Sequence, residues 1–541
     1  MKKTFALLLA AAMLFCVVFA GCGSNDAQVS STADSANNNQ DVQNDTAQTG
    51  DAGEIDEEAT LVVPVTSDIA TLNMLQNCLV DNGLTLLGGV YDHLLLLNQD
   101  GSVEYRLAEN VDVSEDGTVY TMKIREGVTW HDGEAVTADD VVFTWMCLIE
   151  GKLDVGVTAG MYIDGVAIGV EKVDEYTVKF TLPRPSNGYM AALGLMYIIP
   201  EHIFANVEDM NTCEENSLGI GYGPYKVVEH IPGERLLVER YDDYYGDKPH
   251  YKYIEYRIMP DYTAQEVAFL NGETDYFVVQ DAETLAKYES DPNYNVYTFT
   301  EGRVNYMQIN QNSAIFEDER AREAVCLALN FDEIVAGAYG SDKLAKAATG
   351  TVICAGEAYY NESLPNYQQD VEKAAQLAKE SGLDQVTLKL TYNTGRANME
   401  SVALIIQQQL AAAGINAEVV GQDSSTHLAQ LFFSEEGWDI GLNGWASDGK
   451  ANYCSWYIKD SYYSLNTYTT DELNELWTAA DMALEGIEEK YNEVSKLLQT
   501  YFTYVPISST NKVVVTRTDT HGWDATARGD LSDYTVLYKT K

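Results

Sequence analysis

The sequence predicts a mixed α+β fold with α/β character, arranged as two lobes around a cleft. Residues 60–182 hold short runs of alternating apolar and polar residues between turn signals, which is typical of β-strands. Beyond Arg320 the pattern changes to alternating helices and strands, which indicates crossover helices on a sheet. The 541 residues correspond to about two to four domains. Because ligand sites favour interfaces between such units, a cleft is the expected binding region.

The first 22 residues have the features of a secretory leader. Lys2 and Lys3 precede an uncharged apolar run, Phe5 to Ala20, which is too short for a comfortable transmembrane helix. The run ends in small residues directly before Cys22, and this resembles the bacterial lipoprotein cleavage box. The resemblance implies a signal peptide at 1–21 and a lipid anchor on the Cys22 sulfur. The alternative is an ordinary signal peptide followed by an incidental cysteine.

An acidic segment follows the lipidation candidate. Residues 23–58 contain nine Asp or Glu residues and no Lys, Arg or aromatic residue. Such a composition cannot bury enough apolar surface to offset ordering entropy. We therefore expect residues 22–58 to form a disordered tether that holds the folded part outside the cell membrane. A tether of this length favours a Gram-positive-type envelope.

Strand signals dominate the first half of the folded part. The turns at 98–101 and 115–117 each separate two alternating runs, so both predict hairpins. Thr137 and Asp140 have capping-box spacing and predict the start of a helix that runs to about Glu150. The expected strands are 60–66, 94–97, 103–105, 118–124, 166–170 and 177–182.

Helix signals dominate the second half. Apolar residues at helical spacing, with glycine after the last turn of some segments, predict the helices 319–339, 370–381, 399–413, 471–484 and 487–500. The intervening strands are expected at 386–392 and 416–420, and a closing strand at 505–516. This alternation predicts a mostly parallel sheet.

The charge and the cysteines exclude several function classes. The 34 Lys and Arg residues against 83 Asp and Glu residues give a net charge of −49, and no cluster of four or more basic residues occurs. A nucleic-acid partner is therefore not expected. Six widely spaced cysteines without a CxxC motif argue against a zinc or redox site. Disulfides and buried free thiols both remain open for Cys78, Cys147, Cys213, Cys326, Cys354 and Cys454.

Known catalytic motifs are missing from the sequence. HExxH, GxSxG and GxxxxGK[ST] do not occur, and no two histidines are spaced i,i+4. We therefore expect no enzyme activity, no cofactor and no metal site. Gly219, Gly221 and Gly223 look like a nucleotide loop, but Pro224 follows where a helix should begin. A turn beside close-packed backbone is the favoured interpretation.

One aromatic segment is a candidate ligand site. An apolar run that begins at Trp438 ends in Gly444 and Trp445, and Asp448 follows. An acid beside Trp at a strand end can hold a ligand cation through charge-assisted hydrogen bonds, with the ring as a cation–π partner. The alternative is a solvated Asp in a turn.

Several segments together resemble the extracytoplasmic solute-binding proteins of ABC importers, family 5, which bind oligopeptides, dipeptides or nickel. They span residues 60–515. The segments are Leu107-Ala-Glu109, Ser114-Glu-Asp-Gly-Thr-Val-Tyr120, Lys123-Ile-Arg-Glu-Gly-Val-Thr-Trp-His-Asp-Gly133, Thr137-Ala-Asp-Asp-Val-Val-Phe143, Gly221-Tyr-Gly-Pro-Tyr225, Tyr244-Tyr-Gly246, Leu270-Asn-Gly-Glu-Thr-Asp275, Asn310, Arg320-Ala-Arg322 and Gly414-Ile-Asn-Ala-Glu-Val.

The resemblance implies a periplasmic-binding-protein-like fold (type II, cluster C) whose lobes close over ligand. It implies a first lobe of 59–97 and 191–303, an extra β-rich subdomain at 98–190, a second lobe at 304–503, and a return to the first lobe at 504–541. It further implies a monomeric, non-catalytic protein that delivers ligand to a permease.

The resemblance also implies site residues. Asp448 would pair with a peptide α-ammonium beside Gly444 and Trp445, and Gln76, Asn77 and Cys78 would line the cleft. Arg396 and Lys450 are candidates for the ligand's carboxylate. The matching residues Asp116, Gly117, Asp132, Gly133 and Asp140 are expected to be structural.

The ligand class stays open at this point. The loop after Asp448, Gly-Lys-Ala-Asn, departs from the acid- and Pro-rich loop of the peptide-binding members. An oligosaccharide, an opine-like compound or a metal chelate is the alternative ligand within the same fold. A surface hydrolase is a remote alternative.

Overall fold

The structure, a computed structural model of the chain, describes residues 54–77, 82–98, 102–153, 155, 160–357, 359–446, 469–525 and 534–541. Two four-stranded sheets and one seven-stranded sheet form the framework of these residues. The predicted signal peptide, Cys22 and most of the predicted tether lie outside them.

The first half of the described chain is rich in strands, as predicted. The strands are β1 (Thr60–Val65), β2 (Leu95–Leu97), β3 (Val103–Tyr105), β4 (Ala108–Val113), β5 (Val119–Ile124), β6 (Tyr162–Ile163), β7 (Val166–Ala167), β8 (Gly169–Asp174), β9 (Thr177–Thr181), β10 (Tyr225–Ile231), β11 (Arg235–Arg240) and β12 (Tyr253–Ile258). The helices are α1 (Met74–Asn77), α2 (Gly83–Leu87), α3 (Ala138–Ile149), α4 (Tyr189–Gly194) and α5 (Glu201–Phe204).

Helices and longer strands alternate in the second half. The helices are α6 (Tyr262–Leu270), α7 (Ala282–Glu289), α8 (Glu319–Leu327), α9 (Phe331–Tyr339), α10 (Val371–Ser381), α11 (Met399–Ala412), α12 (Ser424–Phe433), α13 (Asp471–Asp481) and α14 (Ile487–Thr500). The strands are β13 (Tyr276–Val279), β14 (Tyr294–Ile309), β15 (Ala345–Ala347), β16 (Thr387–Asn393), β17 (Asn416–Gln422), β18 (Ile440–Ala446), β19 (Tyr504–Arg517), β20 (Thr520–His521) and β21 (Tyr538–Lys539).

An antiparallel sheet in the order β4-β5-β9-β8 occupies the region of the predicted extra subdomain. Alternate residues of β5, among them Met122 and Ile124, are fully buried, because successive side chains of a strand point to opposite faces. The predicted capping box is confirmed: the Thr137 side chain accepts from the α3 backbone, and the Thr137 N–H donates to Asp140 Oδ2 at 2.9 Å.

The sheet β1-β12-β11-β10 shares its core with the chain's C-terminal end. Leu61 and Val63 of β1 are buried in the same cluster as Trp523 and Leu537. Residue Ile55 forms an isolated antiparallel bridge with Thr540. The tether predicted to reach residue 58 is therefore too long, since residues 54–58 include backbone contacts to the chain's last strand.

The seven-stranded sheet has the order β13-β19-β14-β18-β16-β17, with β15 paired to β19. Only β16 with β17 and β16 with β18 run parallel, and the other pairings are antiparallel. The prediction of a mostly parallel sheet was wrong. The reason is that β14 and β19 are long strands that pair directly with each other rather than through a crossover helix.

The helix predicted at 319–339 is two helices, α8 and α9. Asn330 lies between them in an extended conformation, and its side chain accepts from the Glu333 N–H at 3.1 Å. Because Asn330 caps the start of α9, the chain leaves the helical conformation there and α8 ends before it. The apolar spacing in the sequence continues across this break and therefore did not reveal it. The glycine at the end of α10, Gly382, has φ +79°, as expected for a helix stop.

Four of the six core cysteines lie in the described residues, and each is a thiol rather than half of a disulfide: Cys147, Cys213, Cys326 and Cys354. Cys78 and Cys454 lie outside these residues. The helices that the structure describes include none with the length and apolar character needed to cross a membrane.

Candidate ligand-binding site

The strands β16, β17 and β18 run in the same direction, so their carboxyl ends meet at one edge of the seven-stranded sheet. We call this edge, marked by Asn393, Gln422 and Ala446, the carboxyl edge. Strand β14 runs the opposite way and places Arg303 opposite Ala446. In open α/β sheets, ligands bind outside the carboxyl ends of the strands. The carboxyl edge is therefore the candidate site on the second half of the chain.

Gly444 lies near the end of β18, opposite Asn305 of β14. A Cβ added there would lie 2.2 Å from Arg303 Nη2 and 2.2 Å from Asn305 Oδ1. Two polar side chains thus rest directly on the Gly444 backbone. The predicted site glycine makes room for protein side chains, and any larger residue would displace them.

Trp445 points to the other face of β18. It is half-buried and packs against a cluster that includes Val304, Tyr306 and Trp477. The Cys354 thiol lies 4.0 Å from the Trp445 carbonyl oxygen. The ring is thus fixed by packing near the carboxyl edge while part of it stays accessible.

Three predicted residues lie outside the described part of the chain: Asp448, Lys450 and Cys78. Arg396 is described, and it lies in the turn after β16, where its N–H donates to the Asn393 carbonyl at 3.3 Å. That turn belongs to the carboxyl edge. The structure therefore brings Arg396, Gly444 and Trp445 to one edge of one sheet.

Gln76 and Asn77 lie in and at the end of the short helix α1, which follows the carboxyl end of β1. The Gln76 amide donates to Asn211 O at 3.0 Å and accepts from Thr71 Oγ1 at 2.8 Å. The Asn77 amide nitrogen donates to the Thr71 and Asn73 carbonyls at 2.9 and 2.7 Å. Asn77 is buried, and its donors are committed to holding this segment in shape.

The sequence prediction missed Arg303. Its side chain is only 5% exposed, and its Nε donates to Asn305 Oδ1 at 3.2 Å. Neither Nη1 nor Nη2 has a hydrogen-bond partner among the residues that the structure describes. Asn305 in turn donates to Tyr339 Oη at 3.1 Å and to Ser508 Oγ at 3.2 Å. Burial raises the pKa of Tyr339, so its phenol stays protonated. The one available signal was an arginine directly before an uncharged stretch, residues 304–310, which is buried in the structure.

A loop of the first half touches helices of the second half. Arg184 Nη1 lies 2.5 Å from Asp481 Oδ2, and Ser186 Oγ donates to Asp481 Oδ1 at 2.9 Å. The Asn187 side chain donates to the Ala480 carbonyl at 2.6 Å and accepts from Tyr491 Oη at 3.2 Å. We call this set the 184–187 contact.

The signature residues are structural, as predicted. Asp116 Oδ1 accepts from the Thr118 N–H at 3.1 Å within a hairpin turn, and Gly117 and Gly133 have φ +67° and +94°. Asp140 belongs to the capping box of α3. Glycine is favoured at positive φ, and Asp is favoured in a turn where its side chain can accept a backbone N–H.

The glycine cluster at 219–223 is also structural. A Cβ on Gly221 would lie 1.9 Å from the Val90 carbonyl oxygen, and one on Gly223 would lie 2.5 Å from that of Gly89. This confirms the predicted turn beside close-packed backbone. Within the described residues, no three His, Cys, Asp or Glu side chains are placed to hold a metal ion.

Comparisons with known proteins identify the family. The family described as bacterial extracellular solute-binding proteins, family 5 Middle, matches residues 102–464, well over half of the chain. The chain belongs to this family. Its members are extracytoplasmic binding proteins of ABC importers and not enzymes, so the hydrolase alternative is set aside.

Relatives support the same fold. The oligopeptide-binding protein AppA of Bacillus subtilis is 27% identical over 481 residues, which is 82% of this chain and 81% of AppA. The crystal structure of the substrate-binding protein CtaP from Listeria monocytogenes has a TM-score of 0.80 at 32% identity, covering 90% of this chain and all of that one. A putative peptide-binding AppA from Clostridium difficile also has a TM-score of 0.80, at 28% identity over 89% of this chain and 100% of that one. The predicted two-lobed fold is confirmed.

Proposed function

We propose that this protein captures di- and oligopeptides in the cleft between its two lobes and delivers them to the permease of an ABC importer. The observation that carries the proposal is the similarity over 481 residues to a protein named for oligopeptide binding. No covalent step is involved. The ligand is held, enclosed and released, so the protein needs complementary groups and a hinge.

The peptide would bind with its α-ammonium on Asp448, beside Gly444 and Trp445. Gln76, Asn77 and Cys78 would line the opposite wall. Support comes from the position of β18, whose last residue, Ala446, lies at the carboxyl edge and precedes Asp448 by two positions in the sequence. Trp445 adds a partly accessible ring for the body of the ligand.

The hinge would lie in β14 and β19. These two strands pair over most of their length. Val304 and Met307 of β14 lie in the cores of the second half, whereas Phe299 belongs to the core of the first half. A boundary between residues 303 and 304, with a second lobe of 304–503 and a return at 504–541, fits that division. The extra subdomain would be 98–190.

The mature protein would be a monomer held on the outer face of the cell membrane by lipid on Cys22. The acidic segment from residue 23 would then act as the tether, ending near residue 54, where contacts with the chain's end begin. Lys541 Nζ lies 2.7 Å from Glu54 Oε1, and the Asp56 N–H donates to the Lys539 carbonyl at 2.8 Å. Mass spectrometry of the membrane-extracted protein tests the lipid directly, and an unmodified Cys22 would contradict it.

Native mass spectrometry tests the ligand. The mature chain, residues 22–541 with Cys22→Ser to keep it soluble, is refolded to strip bound ligand and offered a pool of peptides and oligosaccharides. Retention of peptides with free N-termini, and their loss on N-acetylation, is the expected result. Retention of sugars alone would overturn both the peptide proposal and the role of Asp448, while leaving the binding-protein function intact.

A further inference from the structure

Arg303 occupies an unusual position in the seven-stranded sheet. It lies on β14 between Ala446 of β18 and Thr510 of β19, at the carboxyl edge. Its guanidinium rests on Gly444, where a Cβ would come within 2.2 Å of Nη2. A glycine at this point of β18 allows the arginine to lie flat against the sheet.

One hydrogen bond to a described residue orients the guanidinium. Asn305 accepts from its Nε at 3.2 Å, and Asn305 is itself fixed by Tyr339 and Ser508. Nη1 and Nη2 are buried, and no described residue is a hydrogen-bond partner of either nitrogen. The protein thus orients the two outer nitrogens and leaves their donors unused.

The acid that stands closest along the strand does not pair with Arg303. Glu301 Oε2 instead accepts from Thr510 Oγ1 at 2.5 Å. An arginine guanidinium is positively charged in proteins, and this one is only 5% exposed. A buried charge without a partner is costly, so a site that retains one is built for an anion that arrives from outside.

We propose that Arg303 receives a carboxylate of the ligand, with Nη1 and Nη2 donating to its two oxygens. The planar fork of arginine matches a carboxylate in this bidentate manner, and the pair is stronger when both groups leave water together. The proposal rests on ligand binding at the carboxyl edge, as put forward above. In a peptide the carboxylate is either the chain terminus or an acidic side chain.

The test compares three pools of tri- to pentapeptides by native mass spectrometry titration. The first has free C-terminal carboxylates, the second is the same pool amidated, and the third is amidated but contains one Asp. Wild-type protein is expected to prefer the first pool if the terminus binds Arg303, or the third if a side chain does. Equal affinity for all three pools would overturn the proposal.

Three variants give the decisive readouts. Arg303→Met should weaken binding of the preferred carboxylate pool by roughly 30-fold or more and leave the neutral pool within about 2-fold. Gly444→Ala, which displaces the guanidinium, should act in the same direction. Arg320→Met, at a half-exposed arginine paired with Asp318, is the control and should change neither.

Thermal unfolding distinguishes an arginine that binds ligand from an arginine that stabilises the fold. Because Arg303→Met removes an unpaired buried charge, the ligand-free variant should melt at the same temperature as the wild type or higher. A lower melting temperature with equal weakening of all pools would mean that Arg303 is structural, and would overturn the proposal.

Failure of the peptide proposal is distinguishable from failure of this one. Wild-type protein that binds none of the pools would overturn peptide capture. In that case the role of Arg303 is tested by comparing the binding of oligogalacturonate and of neutral oligogalactose to the wild type and to Arg303→Met. A preference for the acidic sugar that is lost in the variant supports the carboxylate role, and any other result overturns it.

Discussion

The Arg184 guanidinium and the Asp481 carboxylate form an ion pair with 2.5 Å between Nη1 and Oδ2, across the boundary between the two halves of the chain. Both side chains are largely buried, with 19% and 10% exposure. Ser186 and Asn187 add hydrogen bonds to the same short stretch of α13. Any hinge motion in β14 and β19 that separates the lobes must break this 184–187 contact.

We predict that Asp481→Asn shifts the protein toward an open form. The substitution removes the charge that Arg184 faces and costs roughly 1–3 kcal/mol, as for a buried hydrogen bond to a charged group. Ligand-free protein should show a larger radius of gyration in small-angle X-ray scattering, and ligand should bind more weakly. Asp164→Asn is the matched control, since Asp164 pairs with the same arginine at 2.7 Å but is 61% exposed. Equal effects of the two substitutions would contradict a role in closure.

Asp275 is expected to fasten the end of the chain to the first lobe. Its Oδ1 lies 3.1 Å from Arg517 Nη2 and 2.8 Å from Lys539 Nζ, while Oδ2 accepts from the Val62 N–H at 2.7 Å. Asp275→Asn should lower the free energy of unfolding by about 3–5 kcal/mol, because two cations lose their buried partner. Chemical denaturation measures the loss, and hydrogen exchange should show reduced protection in β21. Glu58→Gln, which breaks the exposed pair with Lys252, should leave both unchanged.

The sequence was informative where local physics decides the structure. Alternation in β5, the capping box at Thr137 and the glycine at 382 each depend on neighbouring residues, and each was predicted correctly. It was less informative where partners are distant in sequence. The direct pairing of β14 with β19 joins segments about 200 residues apart, so local periodicity could not distinguish it from a parallel crossover sheet.

The same distinction applies to the candidate site, where residues of a local motif were predicted and a residue buried by distant strands was not. Gly444 and Trp445 were found from a short motif, and the structure places them at a strand end. Arg303 was missed because a strand arginine ordinarily lies at the surface, and its burial follows from β18, β19 and α9 packing around it. Only the three-dimensional structure shows that two of its nitrogens lack hydrogen-bond partners within the described part of the chain.

Two histidines predict acid sensitivity: His427, which is buried, and His131, which is half-buried. Burial lowers the pKa of both His131 and His427 to about 4, against an ordinary value of 6.5. His131 donates from Nε2 to the Gly223 carbonyl at 3.0 Å and accepts the Gly221 N–H at 3.2 Å, which suits the neutral ring. Because the unfolded chain takes up protons on these rings first, the stability they contribute is complete above about pH 6.5. It is lost progressively as the pH falls toward 4.

We expect His427→Gln to flatten this dependence. The difference in unfolding free energy between wild type and variant should change by roughly 2–3 kcal/mol between pH 7 and pH 4. Thermal or urea denaturation at several pH values measures it. A parallel curve for His427→Gln would mean that this ring takes up its proton equally in the folded and the unfolded protein, and would contradict the prediction.

Asp448 is the most direct test of peptide capture. If its carboxylate pairs with the ligand's α-ammonium, Asp448→Ala should weaken binding of peptides with free N-termini by roughly 2–5 kcal/mol, since the ammonium would be buried without a partner. N-acetylated peptides carry no such charge, so the variant and the wild type should bind them equally weakly. Isothermal titration calorimetry gives both values. Glu436→Ala, at an exposed acid before the opposite, amino end of β18, tests whether loss of a negative charge away from the site suffices. Similar losses at Glu436 and Asp448 would indicate a general electrostatic effect, and unchanged affinity for Asp448→Ala would remove Asp448 from the site.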